Sequence, residues 1–462
     1  VRSSQRYLSI RRLGLVVTEN ALLICCVFAA VRLRLYYQNL SAHDLLGNLP
    51  KAFTVALVFQ IFLHLSDVYD FERTRTLAQL SYRLGRALLL SVITLAFLFY
   101  ALPELLLWRG TFAIALALMC AFLIVWHAFL RIYLDVRPPQ SNLLVLGTGR
   151  LARELVAEIL KRPELGIRVC GFLDPDPAMK GKSIVNPRVV GSPAELPELV
   201  AAQHIDRIAV EMTDRRGQMP VDELLKLKLK GVAVEEATSL YERVAGKIPI
   251  VNLKPSWMIF NGGFEVSRSR LLQKRIFSIV ASALLLIFFS PFLLLLALLI
   301  KLDSPGPVFY RQERVGKDGK IFTLYKLRSM YQDAEKYTGP VWADRADPRV
   351  TRVGRIMRRL RLDEVPQLFN VLRGDMSLVG PRPERPRFVS ELSSLIPFYD
   401  LRHSVKPGLT GWAQIHFGYA NSVQDAVEKL QYDLFYIKNM SPMLDLVILF
   451  ETAKTVLVRR GS

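Results

Sequence analysis

Four long apolar runs, at residues 13–31, 49–65, 84–102 and 111–130, constrain this chain more than any other feature. Each is close to the roughly 20 residues that an α-helix needs to cross a bilayer. The backbone must be satisfied internally in lipid, so such runs predict a bundle of four transmembrane helices over residues 1–137. The first run is followed by further spans, which argues against a cleaved signal peptide. Arg2, Arg6, Arg11 and Arg12 precede it, and Arg73, Arg75, Arg83 and Arg86 crowd the second connection. Arg109 alone separates the third and fourth runs, while Arg32 and Arg34 in the first connection weaken the contrast. The distribution still favours a cytoplasmic N-terminus. Four crossings then return the chain to the cytoplasm near Arg131 and Arg137, and Pro138-Pro139 marks a boundary.

A chain of 462 residues has room for two to four units in all. Hydrophobic residues make up 51% of it, which excludes a disordered protein, and their clustering excludes a small secreted scaffold, a fibre or a coiled coil. The net charge is +20. The basic residues flank apolar runs, so anionic lipid headgroups and phosphorylated substrates are the expected partners, not nucleic acid. Cys25, Cys26, Cys120 and Cys170 show no metal spacing and are expected as small buried hydrophobes in a reducing compartment.

Residues 138–246 carry an α/β pattern. The strand LLVLG runs into Gly147-Thr148-Gly149 and then an amphipathic helix, with Ala152 completing GxGxxA. A second strand over 167–173 ends at Asp174, and further strands are expected at 205–212 and 232–234. This is the start of a dinucleotide-binding βαβ unit, with Gly147, Gly149 and Asp174 as candidate nucleotide contacts. A Gly turn also closes strand–helix joints with nothing bound, so an empty regulatory or structural domain stands beside a nucleotide- or CoA-binding one. None of the 16 tyrosines has Lys four residues on, so the pair that a short-chain dehydrogenase or sugar-nucleotide epimerase needs is missing.

A Pro-, Gly- and Asn-rich linker over 247–266 leads to the last part, 267–462. It opens with a run over 274–301, uncharged from Ile276 to Ile300 and interrupted by Ser290-Pro291. Pro291 removes one helical hydrogen bond and crowds the carbonyl of Ile287, and the Ser290 hydroxyl can satisfy a freed carbonyl. Arg268, Arg270, Lys274 and Arg275 precede the run, and Lys301, Arg311, Arg314, Lys317 and Lys320 follow it. Two basic flanks predict two cytoplasmic ends, hence a re-entrant helix that breaks and returns rather than a fifth span. The last helix, 442–459, holds Asp445, Glu451 and Lys454, which makes a crossing costly and an interfacial position expected.

Arg352, Arg355, Arg358, Arg359 and Arg361 alternate with Val353, Ile356, Met357 and Leu360 in a basic amphipathic helix. Such a stripe lies in a headgroup plane or pairs with substrate phosphates. Asp363-Glu364 follows at once. Adjacent carboxylates repel, so arginines or a divalent metal must offset them. Then come GDMSLVGPRP, presenting Arg382, and KPGLTGWAQ, a second tight loop. His403 and His416 are too isolated to form a metal site.

These motifs carry a resemblance. The segments KRIFSIVASALLLIFFSPFLLLLALLIKLDSPGPVFYRQERVG, IFTLYKLRSM, RRLRLDEVPQLFNVLRGDMSLVGPRP, LRHSVKPGLTGWAQI and QYDLFYIKNMSPMLDLVILF stand in the order of the bacterial sugar transferase domain. The chain resembles the polyprenyl-phosphate hexose-1-phosphate transferases, the monotopic phosphoglycosyl transferases. With four spans and a Rossmann-like domain ahead, it is similar to their long form, found in exopolysaccharide and O-antigen initiation. The resemblance implies a mainly helical α/β catalytic domain on the cytoplasmic side of the bacterial inner membrane, and a homodimer. It implies transfer of hexose-1-phosphate from a UDP-hexose to undecaprenyl phosphate, through a covalent aspartyl intermediate and with UMP released. Asp363 falls at the family's nucleophile, and Glu364 at its dyad partner. The two carboxylates are the expected Mg²⁺ ligands. Arg358 and Arg382 fall at phosphate-binding positions, Lys326 and Arg328 are further candidates, and Asp433 matches a family acid. The rival expectation is a membrane scaffold that senses a nucleotide and catalyses nothing.

Overall fold

Every apolar run forms a helix. The computed structural model describes residues 3–34, 42–66, 68, 77–134, 141–211, 219–250, 258–259, 262–264, 267–332, 348–417 and 422–457. The chain divides into two compact units, residues 1–141 with 162–168, and residues 142–161 with 169–462. The first unit contains helices α1 (Ser3–Arg34), α2 (Ala42–Leu65), α3 (Leu77–Ala101) and α4 (Arg109–Leu134). Each includes a stretch long and apolar enough to cross a membrane. They pack on one another through Val27, Phe59, Leu95 and Met119, all fully buried, while Phe97, Tyr100 and Val125 face outward. An outward apolar face has no place in water, which makes the protein membrane-associated. Glu19 and His127 approach to 3.8 Å inside the bundle. The boundary expected at Pro138-Pro139 lies outside the described residues. The cysteines are free, as expected, but not buried: Cys25 is exposed and the other three are half-buried.

A parallel sheet, in the second unit except for Ser141, Ile167 and Arg168, has the order β3 (Val189–Gly191), β2 (Ile167–Leu173), β1 (Ser141–Leu146), β4 (Arg207–Val210), β5 (Ala233–Glu236). This order, which reverses between β1 and β4, is that of a doubly wound fold. Helices α5 (Arg150–Leu160), α6 (Leu196–Ala202), α7 (Val221–Leu229) and α8 (Ala237–Ala245) complete it. Buried Leu144, Leu146, Ile208 and Leu224 form its core. The strands β4 and β5 differ from the expected 205–212 and 232–234 by one to a few residues at their ends.

The chain then stitches this layer to the rest. Most of the expected linker lies outside the described residues, but Ile248 and Ile250 are buried in the core of the C-terminal part. Lys438 and Asn439 both hold Glu242, at 2.6 and 3.0 Å, and Trp412 donates to the carbonyl of Gly246.

Helix α9 (Arg268–Asp303) follows. Helical geometry runs on through Ser290 and Pro291, so the expected break does not interrupt the helix. The physical reason is local. The Ser290 hydroxyl donates to the Ile287 carbonyl at 2.8 Å, next to the place where proline removes a bond. Both ends of α9 are tied to the same C-terminal part. At its start Lys274 pairs with Asp445 at 2.7 Å and Arg275 donates to the Leu372 carbonyl at 2.8 Å. At its end Arg328 holds the carbonyls of Ser304 and Pro305, at 2.7 and 2.6 Å. Between those ties Ile287, Phe288, Leu294 and Leu298 are exposed.

The remaining elements are the hairpin β6 (Phe309–Val315) and β7 (Ile321–Leu327), α10 (Arg352–Arg359), α11 (Gln367–Arg373), β8 (Ser377–Val379), α12 (Pro386–Leu395), β9 (Gly408–Thr410), α13 (Trp412–His416), α14 (Val423–Asn439) and α15 (Pro442–Leu457). The expected helix over 442–459 is α15, and it is not among the helices apolar and long enough to cross. It exposes Met443, Leu446 and Val447 and buries Asp445.

Candidate active site

Asp363 and Glu364 sit on a short 3-10 turn, Leu362–Glu364, between two helices. Thr351 caps the N-terminus of α10 through Gly354, at 3.0 Å. The helix ends because Arg361 turns left-handed, with φ 57°. Val365 and Pro366 then lead into α11, which stops at Gly374, φ 102°. A non-glycine residue in that region is strained by roughly 1–3 kcal/mol and persists where its surroundings enforce it. The turn buries both carboxylates, to 7% and 8% exposure. Burial at that level demands compensation.

The compensation comes from three directions. Arg382 donates to Glu364 Oε1 at 2.8 Å, Lys326 reaches the same oxygen at 3.3 Å, and Arg361 stands 3.7 Å away. Lys326 is supplied by β7, where period-two alternation puts it on the same face as buried Leu324. Asn370 staples that strand to α11, accepting from Tyr325 N at 3.1 Å and donating to the Thr323 carbonyl at 2.7 Å. Arg382 comes from the loop after β8. That loop lies so tightly on KPGLTGW that side chains at Gly380, Gly408 or Gly411 would collide with backbone. Two parallel pairings, Ser377 with Gly408 and Val379 with Thr410, hold the loops together.

The two carboxyls are thereby driven apart. Burial would raise Glu364, but Arg382, Lys326 and Arg361 outweigh it and hold Glu364 far below the ordinary range. Burial and then the Glu364 charge push Asp363 up, against Lys326, Arg361 and Arg358. Burial pulls Lys326 down, and Glu364 opposes that. Two atoms here are buried without a hydrogen-bond partner: Asp363 Oδ1 and Arg358 Nη1. Each such orphan costs about 1–3 kcal/mol, more when charged, unless something binds it.

The Arg stripe of α10 divides. Arg352, Arg355 and Arg359 are exposed beside exposed Ile356 and Leu360, the basic and apolar mixture typical of interfacial helices. Arg358 and Arg361 are half-buried at the dyad. The stripe thus has an exposed side and a side turned toward the dyad. Arg328 is a correction. It is buried, and its guanidinium is used on the carbonyls that end α9 and on the Ser304 hydroxyl at 3.0 Å. Carbonyl groups at a helix end attract a cation, which explains why Arg328 is not at the dyad. Asp433 is 2% exposed and pairs with Arg402 at 2.8 Å, one layer behind Arg382. Arg361 was named only as one of the arginine stripe, and Asn370, Arg402 and Tyr399 were not singled out from the sequence. The RRLRLDE spacing, three residues from Arg361 to Glu364, was the available signal for the first.

A carboxylate oxygen without a partner is a cation ligand by type. Among the described residues no group of three or more His, Cys, Asp or Glu side chains is arranged to hold a metal. Mg²⁺ commonly takes one or two carboxylates and completes its shell with water and substrate phosphate, and the unpaired Asp363 oxygen fits that habit.

Gly147 and Gly149 follow β1 and Asp174 follows β2, and the three form no part of the dyad's cluster. Gly147 has φ 111°, which favours glycine. The Glu211 carboxylate accepts from Gly149 N at 2.9 Å and fills the space over Gly149. Burial pushes the Glu211 carboxyl up. Asp174 accepts from the Thr148 hydroxyl and, at 2.9 Å, from Asp176 N. The anion slot at the start of α5 therefore already holds a carboxylate, and the fingerprint does not fit a pyrophosphate with Glu211 in place.

Comparison with known proteins supplies the context. The bacterial sugar transferase family matches residues 269–459, and a CoA-binding domain family matches residues 64–226. A UDP-N-acetylgalactosamine-undecaprenyl-phosphate N-acetylgalactosaminephosphotransferase of Aeromonas hydrophila is 44% identical over 239 residues, 52% of this chain and 56% of that one. An undecaprenyl-phosphate glucose phosphotransferase of Komagataeibacter xylinus is 37% identical over 325 residues, 69% of this chain and 59% of that one. A UDP-glucose:undecaprenyl-phosphate glucose-1-phosphate transferase of Xanthomonas campestris pv. campestris is 31% identical over 333 residues, 70% of this chain and 68% of that one. The chain thus spans between about half and two thirds of the length of these relatives.

Proposed function

The chain belongs to the bacterial sugar transferase family, and from that premise we propose that it transfers hexose-1-phosphate from a UDP-hexose to undecaprenyl phosphate. The observation that carries the reading is the pair of buried orphans at the dyad, Asp363 Oδ1 and Arg358 Nη1, in a cluster where four cations face two carboxylates. Such a cluster is built for an incoming anion.

The Asp363 carboxylate attacks the sugar-bearing phosphorus of the donor. The bond from that phosphorus to the bridging oxygen breaks, and UMP leaves with the oxygen and the electron pair. An oxygen of the lipid phosphate then attacks the same phosphorus and expels the Asp363 carboxylate, giving undecaprenyl-diphosphate-hexose. Covalent catalysis splits one transfer into two steps and predicts ping-pong kinetics. Arg358 and Arg382 hold donor phosphate oxygens, and Lys326 keeps Glu364 charged beside them. Asp363 and Glu364 would hold Mg²⁺, which would neutralise charge on the phosphates.

The acceptor has a lipid tail and the donor is soluble, so the site belongs at the interface. Helix α9, tied at both ends to one domain with its middle exposed, supports a re-entrant bend within a continuous helix. On this reading the site faces the cytoplasm at the inner membrane, and the reaction is the first membrane step of exopolysaccharide or O-antigen repeat-unit synthesis. The test is UMP release from full-length protein in nanodiscs holding undecaprenyl phosphate, Mg²⁺ and a panel of UDP-hexoses, with Asp363→Asn alongside. Release from one donor, abolished in the variant, is the expected result. Folded protein that releases UMP from no donor would overturn the reading in favour of a scaffold.

A further inference from the structure

Arg382 reaches Glu364 with its side chain, but the place from which it reaches is set by its main chain. The Arg382 carbonyl accepts a hydrogen bond from Arg402 Nη2 at 3.0 Å. Arg402 belongs to the turn Tyr399–Ser404, entered through Phe398 at φ 64°. Its guanidinium is braced twice more. Nη1 donates to the Tyr399 hydroxyl at 2.7 Å, and Nη2 stands 2.8 Å from Asp433 Oδ2. Asp433 is on α14, and both charged groups are buried, at 5% and 2% exposure. Burial disfavours the Arg402 charge, but Tyr399 and Asp433 more than restore it. Burial pushes Asp433 up, and Arg402 and then Lys429 oppose it.

A buried ion pair is a poor way to add stability, since a packed apolar group of the same volume does as well or better. It is a good way to fix a position, because a planar fork holds several partners at set angles. Here one arm of the fork ends on the residue whose side chain pairs with the dyad. We infer that Arg402, braced by Asp433 and Tyr399, is a positioning residue that holds the Arg382 main chain so that the Arg382 guanidinium meets Glu364 beside Asp363. This rests on the transferase reading above, and it gives Asp433 a role behind the site rather than in it.

The experiment is a double-mutant cycle on UMP release by the full-length protein in nanodiscs. Arg402→Met and Asp433→Asn are each made in the wild type and in Arg382→Lys, which retains a cation and a measurable rate. A positioned, charge-assisted bond lost from the site corresponds to about 30-fold in kcat, with donor KM within about threefold. Asp433→Asn should lose about 5-fold, because the fork keeps its other partners. In Arg382→Lys the same changes should cost less than about threefold, since the side chain that Arg402 positions is already gone. Arg402→Lys, which keeps the charge but not the fork, should rescue only part of the loss. Equal losses in the two backgrounds, or none in the wild type, would overturn the inference. If Arg402→Met fails to fold, the Asp433→Asn cycle decides alone. An inactive wild type would instead remove the transferase reading itself, with no bearing on whether the fork is present.

Discussion

Two places in this molecule bring a carboxylate to a motif associated with phosphate, and they are opposites. At Gly149 the motif is met by its own chain: the Glu211 carboxylate takes the backbone donor that a ligand's phosphate would need. At Asp363 the chain brings cations from β7, α10 and the Arg382 loop, more than Glu364 uses, and leaves a carboxylate oxygen and a guanidinium nitrogen without partners. The difference teaches that a phosphate-binding shape is not enough. A site prepared for an anion carries a surplus of positive charge and unmet hydrogen-bond capacity, while a satisfied turn is structure.

The largest expected effect that could break this comparison is at the dyad. Asp363→Asn should lower UMP release by at least about 10³-fold with the protein still folded, because the proposed nucleophile is gone and Glu364 is already held by Arg382 and Lys326. Arg382→Met should cost about 10²-fold, the usual loss for one preorganised charge-stabilising donor. A loss below threefold there would mean that the cationic surplus serves folding only. On the other side, Glu211→Ala should change UMP release by less than about twofold, as expected for a residue outside the reacting cluster. By isothermal titration the wild type should take up neither NAD nor CoA at about 1 mM, a binding energy of roughly 4 kcal/mol. Wild-type uptake at micromolar concentration would show that Glu211 moves aside, and the contrast would fail.

The smallest effect lies at His403. Burial and then the Arg402 charge drive its proton off and lower its pKa from the ordinary 6.5 to about 4. The folded protein therefore prefers neutral His403. That preference contributes stability that is fully present above pH 6.5 and is lost as the pH falls through about 4. His403→Gln should thus lose less thermal stability than the wild type when the buffer goes from about pH 7 to about pH 5. A variant as acid-sensitive as the wild type would remove His403 from the account.

The sequence carried the helices, the βαβ start and the dyad, because each is local. Apolar length identified the spans, a Gly turn marked the head of α5, and DE after an Arg-rich helix marked the site. What it could not carry depends on distance in space. Lys326 and Arg328 are two residues apart on neighbouring motif positions, yet Lys326 reaches Glu364 and Arg328 ties off α9. Strand alternation alone would have put the two on one face, but Arg328 lies beyond the last residue of β7. The Glu211 plug joins residues 62 positions apart, and the Arg402 fork joins three segments from 382 to 433. Two basic flanks and proline's missing hydrogen bond together predict a break at Ser290-Pro291, and the Ser290 hydroxyl at Ile287 shows how the helix continues past it.

The central claim is that Asp363 is the nucleophile. It is tested most directly by mixing the protein with a UDP-hexose and Mg²⁺ without lipid acceptor, quenching, and reading the intact and peptide masses. The account predicts a hexose-phosphate adduct on the peptide containing Asp363, one UMP released per adduct, and loss of the adduct when undecaprenyl phosphate is added. UMP formation only when donor and acceptor are present together, with no adduct trapped on Asp363, would contradict it.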